Sequence, residues 1–533
     1  MGLKTRMYVA IASLFALLFA VGMVICYLLG FFGGIYTIIP IGFAIGIMLL
    51  QWAISPAILS RIYKIDWVGI EGYSDGASIF IRETCEKNKI KIPRLGIIRD
   101  KNPNAFCFGR TKNSANLVIT QGILDYCNED EQIAVIGHEL GHIVHSDFIV
   151  MTLVGMIPVI FYIIAVSIFR SSRYRRGGKN SSAGAILLIA IISYVVYLVS
   201  QLIALTISRY REYWADEFSA HSTSNPNALS SALVKIAYGL TREGKGKESD
   251  KKHQRYENTL MIFNAKGARA LSAFSSKPGE VSTEDIKSAM AWDLWNPWAK
   301  LLEIQMTHPL PAKRIKALGD IAGSIGQMPY IHFDLKKPEC YWDDFLCNIL
   351  ASWSWLLSIP AFVLVGWYTS NYSLAVGIAL LVAGIALFSY LKFYHYPKNF
   401  TETRIVDVLK DPKASPTKGM PVILKGRIVG RGVPGLFYSE DLKMDDGTGL
   451  LMLDYNQINS TINFFTALFK TGQWIGKEVT VKGWYRRRII PYMEIYRMDI
   501  EGKTKKIFTP GLKVALSVIP IFIGLLITCG AFV

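Results

Sequence analysis

The strongest constraint on this chain is its set of apolar runs of about 20 residues, each long enough to cross a bilayer core as a helix. Seven occur, at residues 8–29, 35–54, 148–169, 183–206, 345–367, 373–393 and 514–533. A mainly α, polytopic membrane protein is therefore expected. Composition agrees: 51% of the 533 residues are hydrophobic and 19% charged, yet the formal net charge is +17, which fits basic water-facing parts on a membrane protein. "MGLKTR" resembles the start of a secretory signal, but a second run follows at once with no small-residue cleavage site, so it reads as an uncleaved anchor. Seven cysteines with no C-x-x-C pair point to a reducing compartment rather than a disulfide framework.

The runs form three hairpins and a final single helix. Expected boundaries are 1–60, 148–208 and 345–395 for the hairpins and 511–533 for the last helix. The segments 61–147, 209–344 and 396–510 are left to fold in water, all on one side. Lys4, Arg6, Arg61, Lys64 and Lys398 flank the runs on that side, whereas the joints "GFFGGIY" and "SNYS" are uncharged, so that side is expected to be cytoplasmic. The basic joint "RSSRYRRGGKNSS", 170–182, runs against this bias and marks its hairpin as tilted or incompletely spanning. Residues 241–258 are charged and nearly free of large apolar side chains, which reads as a solvated loop.

"VIGHELGHIVHSD", 135–147, carries the chemistry and passes without a proline into the third run. Residues four apart share a helix face, so His138 and His142 can reach one zinc ion while Glu139 contacts the water held there. The motif alone arises by chance in on the order of one chain in a hundred of this length. A third protein ligand is needed. "SRYREYWADEFSA", 208–220, follows the second hairpin, which brings it back beside the motif. It offers Glu212 and Asp216, again four apart on one face, and geometry alone allows either to bind the metal.

With "PNAFCFGR", "ANLVITQGIL", "HELGH", "SRYREYWAD" and "THPLPAKRIKAL" in this order, the stretch 92–318 resembles the HtpX-like and CAAX prenyl protease family of integral-membrane zinc metallopeptidases. The resemblance implies a zincin-type protease domain, split between 61–147 and 209–344, with one zinc ion held by His138, His142 and Glu212. It implies Glu139 as general base and Asp216 as a partner behind the ligands. It also implies a substrate backbone that adds to an edge strand at Asn104, Ala105 and Phe106, and a cleft-facing His308. Asp216 is suited to accept a hydrogen bond from the outer nitrogen of a ligating histidine. His308 is the candidate donor to the oxygen that becomes negative during attack. Arg314 holds Asp216 or binds substrate. His145 reads as an interfacial histidine where the helix meets the membrane, and Cys107 as packing.

Residues 396–510 depart from the family. Clusters of β-formers between turn signals such as "DDGTG" suggest a small OB-like barrel. Arg486, Arg487 and Arg488 beside Trp484 and Tyr485 would suit an anionic surface, and its place between two runs favours lipid or a partner over nucleic acid.

The expected function is a zinc-dependent endopeptidase of a prokaryotic cell membrane, acting on membrane or misfolded proteins from the cytoplasmic side. Prenyl-protein processing is the alternative within enzymes, and a scaffold with a vestigial protease the alternative outside them. Topology is testable directly. Cysteine-specific reagents applied outside intact cells should label probes placed in 170–182 and none in 241–258. External labelling of the second loop inverts the arrangement.

Overall fold

A computed structural model describes residues 46, 49–50, 52–54, 56–61, 63, 65–99, 104–174, 182–239, 283–333, 339–431, 441–455, 471–488 and 491–530. The first apolar run lies outside these residues, as does most of the second. So do 241–258 and the middle of the basic joint. The chain divides into two compact units, Met1–Ile236 with Arg255–Ala265 and Glu303–His332, and Ala237–Gln254 with Lys266–Leu302 and Phe333–Val533.

The first unit carries a four-stranded sheet of β1 (Asp66–Val68), β2 (Arg94–Ile98), β3 (Ala105–Gly109) and β4 (Ala115–Thr120), in the order β1-β2-β4-β3. β2 and β4 are parallel and the outer pairs antiparallel. Alternation along β3 buries Phe106 and Phe108 against Tyr63, Ile65 and Val118. Cys107 therefore points to the other face. β3 ends the sheet, and among the described residues it pairs with β4 alone.

The helices of this unit are α1 (Asp75–Lys87), α2 (Glu129–Val144), α3 (Asp147–Tyr174), α4 (Ser182–Thr223), α5 (Pro226–Gly239) and α6 (Pro311–Ser324). α3 and α4 form a hairpin packed along Val154, Ile157, Phe161, Val196, Ala204 and Ile207. Leu187, Ile191, Val195 and Leu198 are exposed on the outer side of α4, a continuous apolar surface suited to lipid. The sequence carries no proline between the motif and the third run, yet the helix does not continue. Ser146 adopts φ 56°, in the left-handed region, and α2 and α3 meet at 62°. That break turns Asp147 back towards α2.

α2 crosses α4 at close range because glycine occupies the contact. A Cβ on Gly141 would stand 3.1 Å from the Ala215 Cα, and one on Gly137 3.0 Å from the Ser219 Oγ. The Ser219 hydroxyl donates to the Ala134 carbonyl at 2.6 Å, bonding one helix to the backbone of the other.

In the second unit, β6 (Met420–Arg431), β7 (Leu442–Asp445), β8 (Leu450–Asp454), β9 (Glu478–Arg486) and β10 (Tyr492–Ile500) close a ring: β6-β7-β8-β10-β9 and back to β6. All contacts in the ring are antiparallel except β8 with β10. β5 (Thr401–Glu402) and β11 (Lys503–Lys506) extend its edges. The result is a small β-barrel filled by Leu424, Val481, Leu453, Met493 and Ile495. The basic triplet is not the exposed patch its sequence suggested. Arg486 is 0% exposed and donates to the carbonyls of Thr417 and His395, and Arg487 is 4% exposed, donating to the carbonyls of Leu409 and Ala289. Glu494 sits against Arg486; burial would raise its carboxyl, but the guanidinium outweighs this and holds it below the usual range. Only Arg488 of the three is exposed.

By length and composition, three described helices can cross a membrane, Leu187–Thr223, Tyr372–His395 and Thr509–Gly530, or up to five stretches if two bent pairs count as one each. The helical membrane architecture follows, with a sheet-bearing unit and a barrel attached.

The glycine crossing is testable. Gly141→Leu should lower the thermal midpoint of the purified protein, because overpacking a tight contact costs about 1–3 kcal/mol. Gly155→Leu on α3, where a Cβ meets nothing within 4 Å, should leave it unchanged. Equal midpoints in both variants would refute the close-approach account.

Candidate metal and catalytic site

α2 starts with a reciprocal cap: Asn128 accepts from the Glu131 amide and Glu131 from the Asn128 amide, both at 2.9 Å. Glu131 is buried and also takes the Ser231 hydroxyl and the Lys235 ammonium, which fixes the helix rotation from its first turn. Two turns on, His138, Glu139 and His142 are 0%, 2% and 8% exposed.

The two imidazoles meet Nε2 to Nε2 at 3.2 Å. Glu212, from α4, sets Oε2 3.6 Å from His138 Nε2 and Oε1 3.6 Å from His142 Nε2. One donor atom from each of the three residues lies within 4.8 Å of the others. Both outer nitrogens are engaged: His138 Nδ1 lies 2.9 Å from Asp216 Oδ1, and His142 Nδ1 lies 2.5 Å from Asp147 Oδ2. An imidazole that donates from Nδ1 presents a lone pair at Nε2. Two such lone pairs and a carboxylate repel one another unless a proton or a metal cation stands among them, and the donor set suits the metal. Charge balance agrees. Glu139, Asp147, Glu212 and Asp216 are buried with the guanidiniums of Arg211 and Arg314, a formal −2 with neutral imidazoles, which one divalent ion cancels.

Arg314, from α6, grips Asp216 through Nε at 2.8 Å and Nη2 at 2.6 Å, and its Nη1 reaches Glu212 at 3.4 Å. Burial alone would lower its pKa; the Asp216 carboxylate outweighs that and raises it above the ordinary arginine value. Of the two roles open from sequence, the geometry gives it the grip on Asp216. His308 sets Nδ1 3.0 Å from Glu212 Oε2, without hydrogen-bond alignment. Its loop is held by Arg209 of α4, which donates to the carbonyls of Glu303, Ile304 and Met306.

Asp147 and Arg211 were not singled out from the sequence. Arg211 Nη2 lies 2.8 Å from Asp147 Oδ2, so His142 is backed by an Asp–Arg pair as His138 is by Asp216 and Arg314. One signal was present: an aspartate and an arginine at the ends of two apolar runs must find partners.

Asn104 exchanges hydrogen bonds with Thr120, while its buried Nδ2 has no partner. Ala105 and Phe106 are buried in β3. Cys107 is half-buried on the face of β3 opposite Phe106 and Phe108. Burial first, then the Glu139 charge, raises its thiol pKa well above the ordinary value. His145 stands apart, stacked on Trp214 at 4.1 Å between centroids and edge-on to Phe218.

Residues 81–322 match the model of peptidase family M48. A protease HtpX homolog of Methanothermobacter thermautotrophicus is 38% identical over 245 residues, covering 46% of this chain and 90% of that protein. One from Picrophilus torridus is 30% identical over 277 residues, 52% of this chain and 82% of that protein. The crystal structure of S. mikatae Ste24p aligns over 59% of this chain and 67% of that chain, with 16% identity and a TM-score of 0.34, too distant a likeness to define the fold.

The arrangement separates residues facing the donor cluster from those behind it. Glu212→Gln should purify largely without metal. Asp216→Asn and Asp147→Asn should each keep substantial metal while losing about 10–100-fold in affinity or activity. Metal analysis of the three proteins checks this, and greater metal loss from Asp216→Asn than from Glu212→Gln would move the ligand to Asp216.

Proposed function

Because the chain belongs to peptidase family M48, we propose that it is a membrane-embedded, zinc-dependent endopeptidase that cleaves membrane or misfolded protein chains. The observation that carries this reading is the buried convergence of His138, His142 and Glu212 beside Glu139 on one helix.

Two imidazoles and one carboxylate form a donor set suited to catalytic zinc, which leaves a position for water or substrate. When bound there, zinc supplies Lewis-acid polarisation of the scissile carbonyl and lowers the pKa of water. The chain's own groups do the rest. Glu139, whose Oε1 is buried without a hydrogen bond, takes the proton from the attacking water and delivers it to the leaving amine. His308 donates to the carbonyl oxygen as it becomes negative. The free edge of β3 receives the substrate backbone as an added strand, with the Asn104 amide available to the substrate. Asp216 with Arg314, and Asp147 with Arg211, hold the two imidazoles in one tautomer.

Seven spans place this site on the cytoplasmic side of a prokaryotic cell membrane. The apolar faces of the described helices and the residues flanking the runs support this. The barrel is OB-like, a reading supported by its five-strand closed ring with one parallel contact. It docks lipid or a partner rather than nucleic acid, since two of its three clustered arginines are consumed internally.

Glu139→Gln should bind zinc like the native protein and fail to cleave an unfolded protein substrate, because the amide keeps the shape and loses the proton acceptor. Full activity in the zinc-loaded variant would remove Glu139 from the mechanism. Cleavage confined to prenylated peptides would shift the substrate class.

A further inference from the structure

The fifth apolar run does not form one straight span. Helix Trp342–Ser352 and the following stretch Ser354–Thr369 meet at 59°. If Ser354–Thr369 stands across the bilayer, the first helix lies nearer to the membrane plane than to its normal.

Its two faces differ. On one, Asn348 is 2% exposed and its Oδ1 accepts from the hydroxyls of Tyr394, Ser415 and Thr417. Phe345 packs edge-on against Trp298, with centroids 4.8 Å apart. These contacts fix the rotation of the helix within its unit. On the other face, Trp342, Leu346, Leu350 and Trp353 are 49%, 52%, 69% and 62% exposed. Spacings of four, four and three keep them on a single stripe. Asp343 lies at the margin of that stripe and in the first helical turn, where a carboxylate keeps its contact with headgroups and water and meets the positive end of the helix dipole.

A rigidly held, exposed Trp/Leu stripe on a short helix that is continuous with a membrane hairpin matches an in-plane interfacial helix. We propose that Trp342–Ser352 docks on the bilayer surface, burying this stripe at the boundary between headgroups and acyl chains, about 5–10 Å into it. The occupant of the stripe is lipid. Through Asn348 the helix also fixes the loop containing Ser415 and Thr417, so the unit bearing the barrel is seated on the membrane by a defined surface and not only tethered through its spans. The inference rests on the membrane reading of the hairpin.

The test uses the full-length chain, its reactive cysteines replaced by serine, reconstituted in lipid nanodiscs with one nitroxide at a time. Probes go at Leu346 and Leu350 on the stripe, at Val363 within Ser354–Thr369, and at the exposed barrel residue Lys425. Collision rates with oxygen, which concentrates in lipid, and with a water-soluble nickel chelate report the depth of each. Expected is oxygen dominance at 346 and 350 at a shallow depth, a deeper position for 363, and nickel dominance at 425. Nickel dominance at 346 and 350 with 363 still deep overturns the inference alone and leaves the membrane reading standing. Nickel dominance at 363 as well overturns the membrane reading of this hairpin. Spin–spin broadening at 350 assigns the stripe to a second copy of the chain, and a depth at the bilayer centre assigns it to a span; either result also overturns the inference.

Discussion

Everything around the candidate metal site depends on compensating charge in a buried place. Four carboxylates and two guanidiniums are buried within one cluster. An ionised carboxylate left alone there would cost several kcal/mol. The two aspartates are instead each given a partner. Arg314 forks onto Asp216, Arg211 meets Asp147, and each aspartate takes the outer nitrogen of one histidine. The inner nitrogens are thereby left as lone pairs directed at the place where Glu212 also points. The surplus negative charge is confined to that place, a donor group that could hold a metal ion.

The part of this legible in the sequence is the part encoded locally. His138, Glu139 and His142 are readable because a spacing of four on a helix is enough to put two imidazoles on one face. Glu212 and Asp216 follow by the same rule once a hairpin is inferred between the two helices. Asp147 was hidden because its role depends on a backbone reversal at Ser146, a residue type that seldom takes positive φ. An unbroken helix would have carried Asp147 past His142. Arg211 was hidden because its partner sits 64 residues away, across that same break.

The basic triplet at the end of β9 was misread for a related reason. Three consecutive arginines beside aromatic residues look like a surface that binds anions, because sequence shows charge without showing partners. Arg486 is answered by Glu494 and by the carbonyls of His395 and Thr417, and Arg487 lies near Asp293, almost 200 residues away along the chain. The strand pattern that predicted the barrel was sound, since alternation is local. What could not be read was which way two adjacent basic side chains turn at the end of a strand. Their burial gives them a structural task, tying β9 to the helices around it.

The remaining question is why one helix crossing suffices to place ligands from segments 70 residues apart. On α2 the contact residues Gly137 and Gly141 precede the candidate ligands His138 and His142 by one position each. The packing stripe and the ligand stripe therefore run parallel, rotated by about 100° about the helix axis. On α4 the contact residues Ala215 and Ser219 keep the same spacing of four, and so do Glu212 and Asp216. Register along the crossing is thus shared by packing and chemistry. Sliding α4 by one turn, about 5.4 Å, would put Ser219 opposite Gly141 and bring Asp216 to the place of Glu212, losing the Ser219–Ala134 hydrogen bond and the Arg314 grip together. The Ser219–Ala134 bond across the close glycine contact and the charge pairing at Asp216 select the same register, which is how a hairpin can hold Glu212 beside His138 and His142 as firmly as a continuous motif.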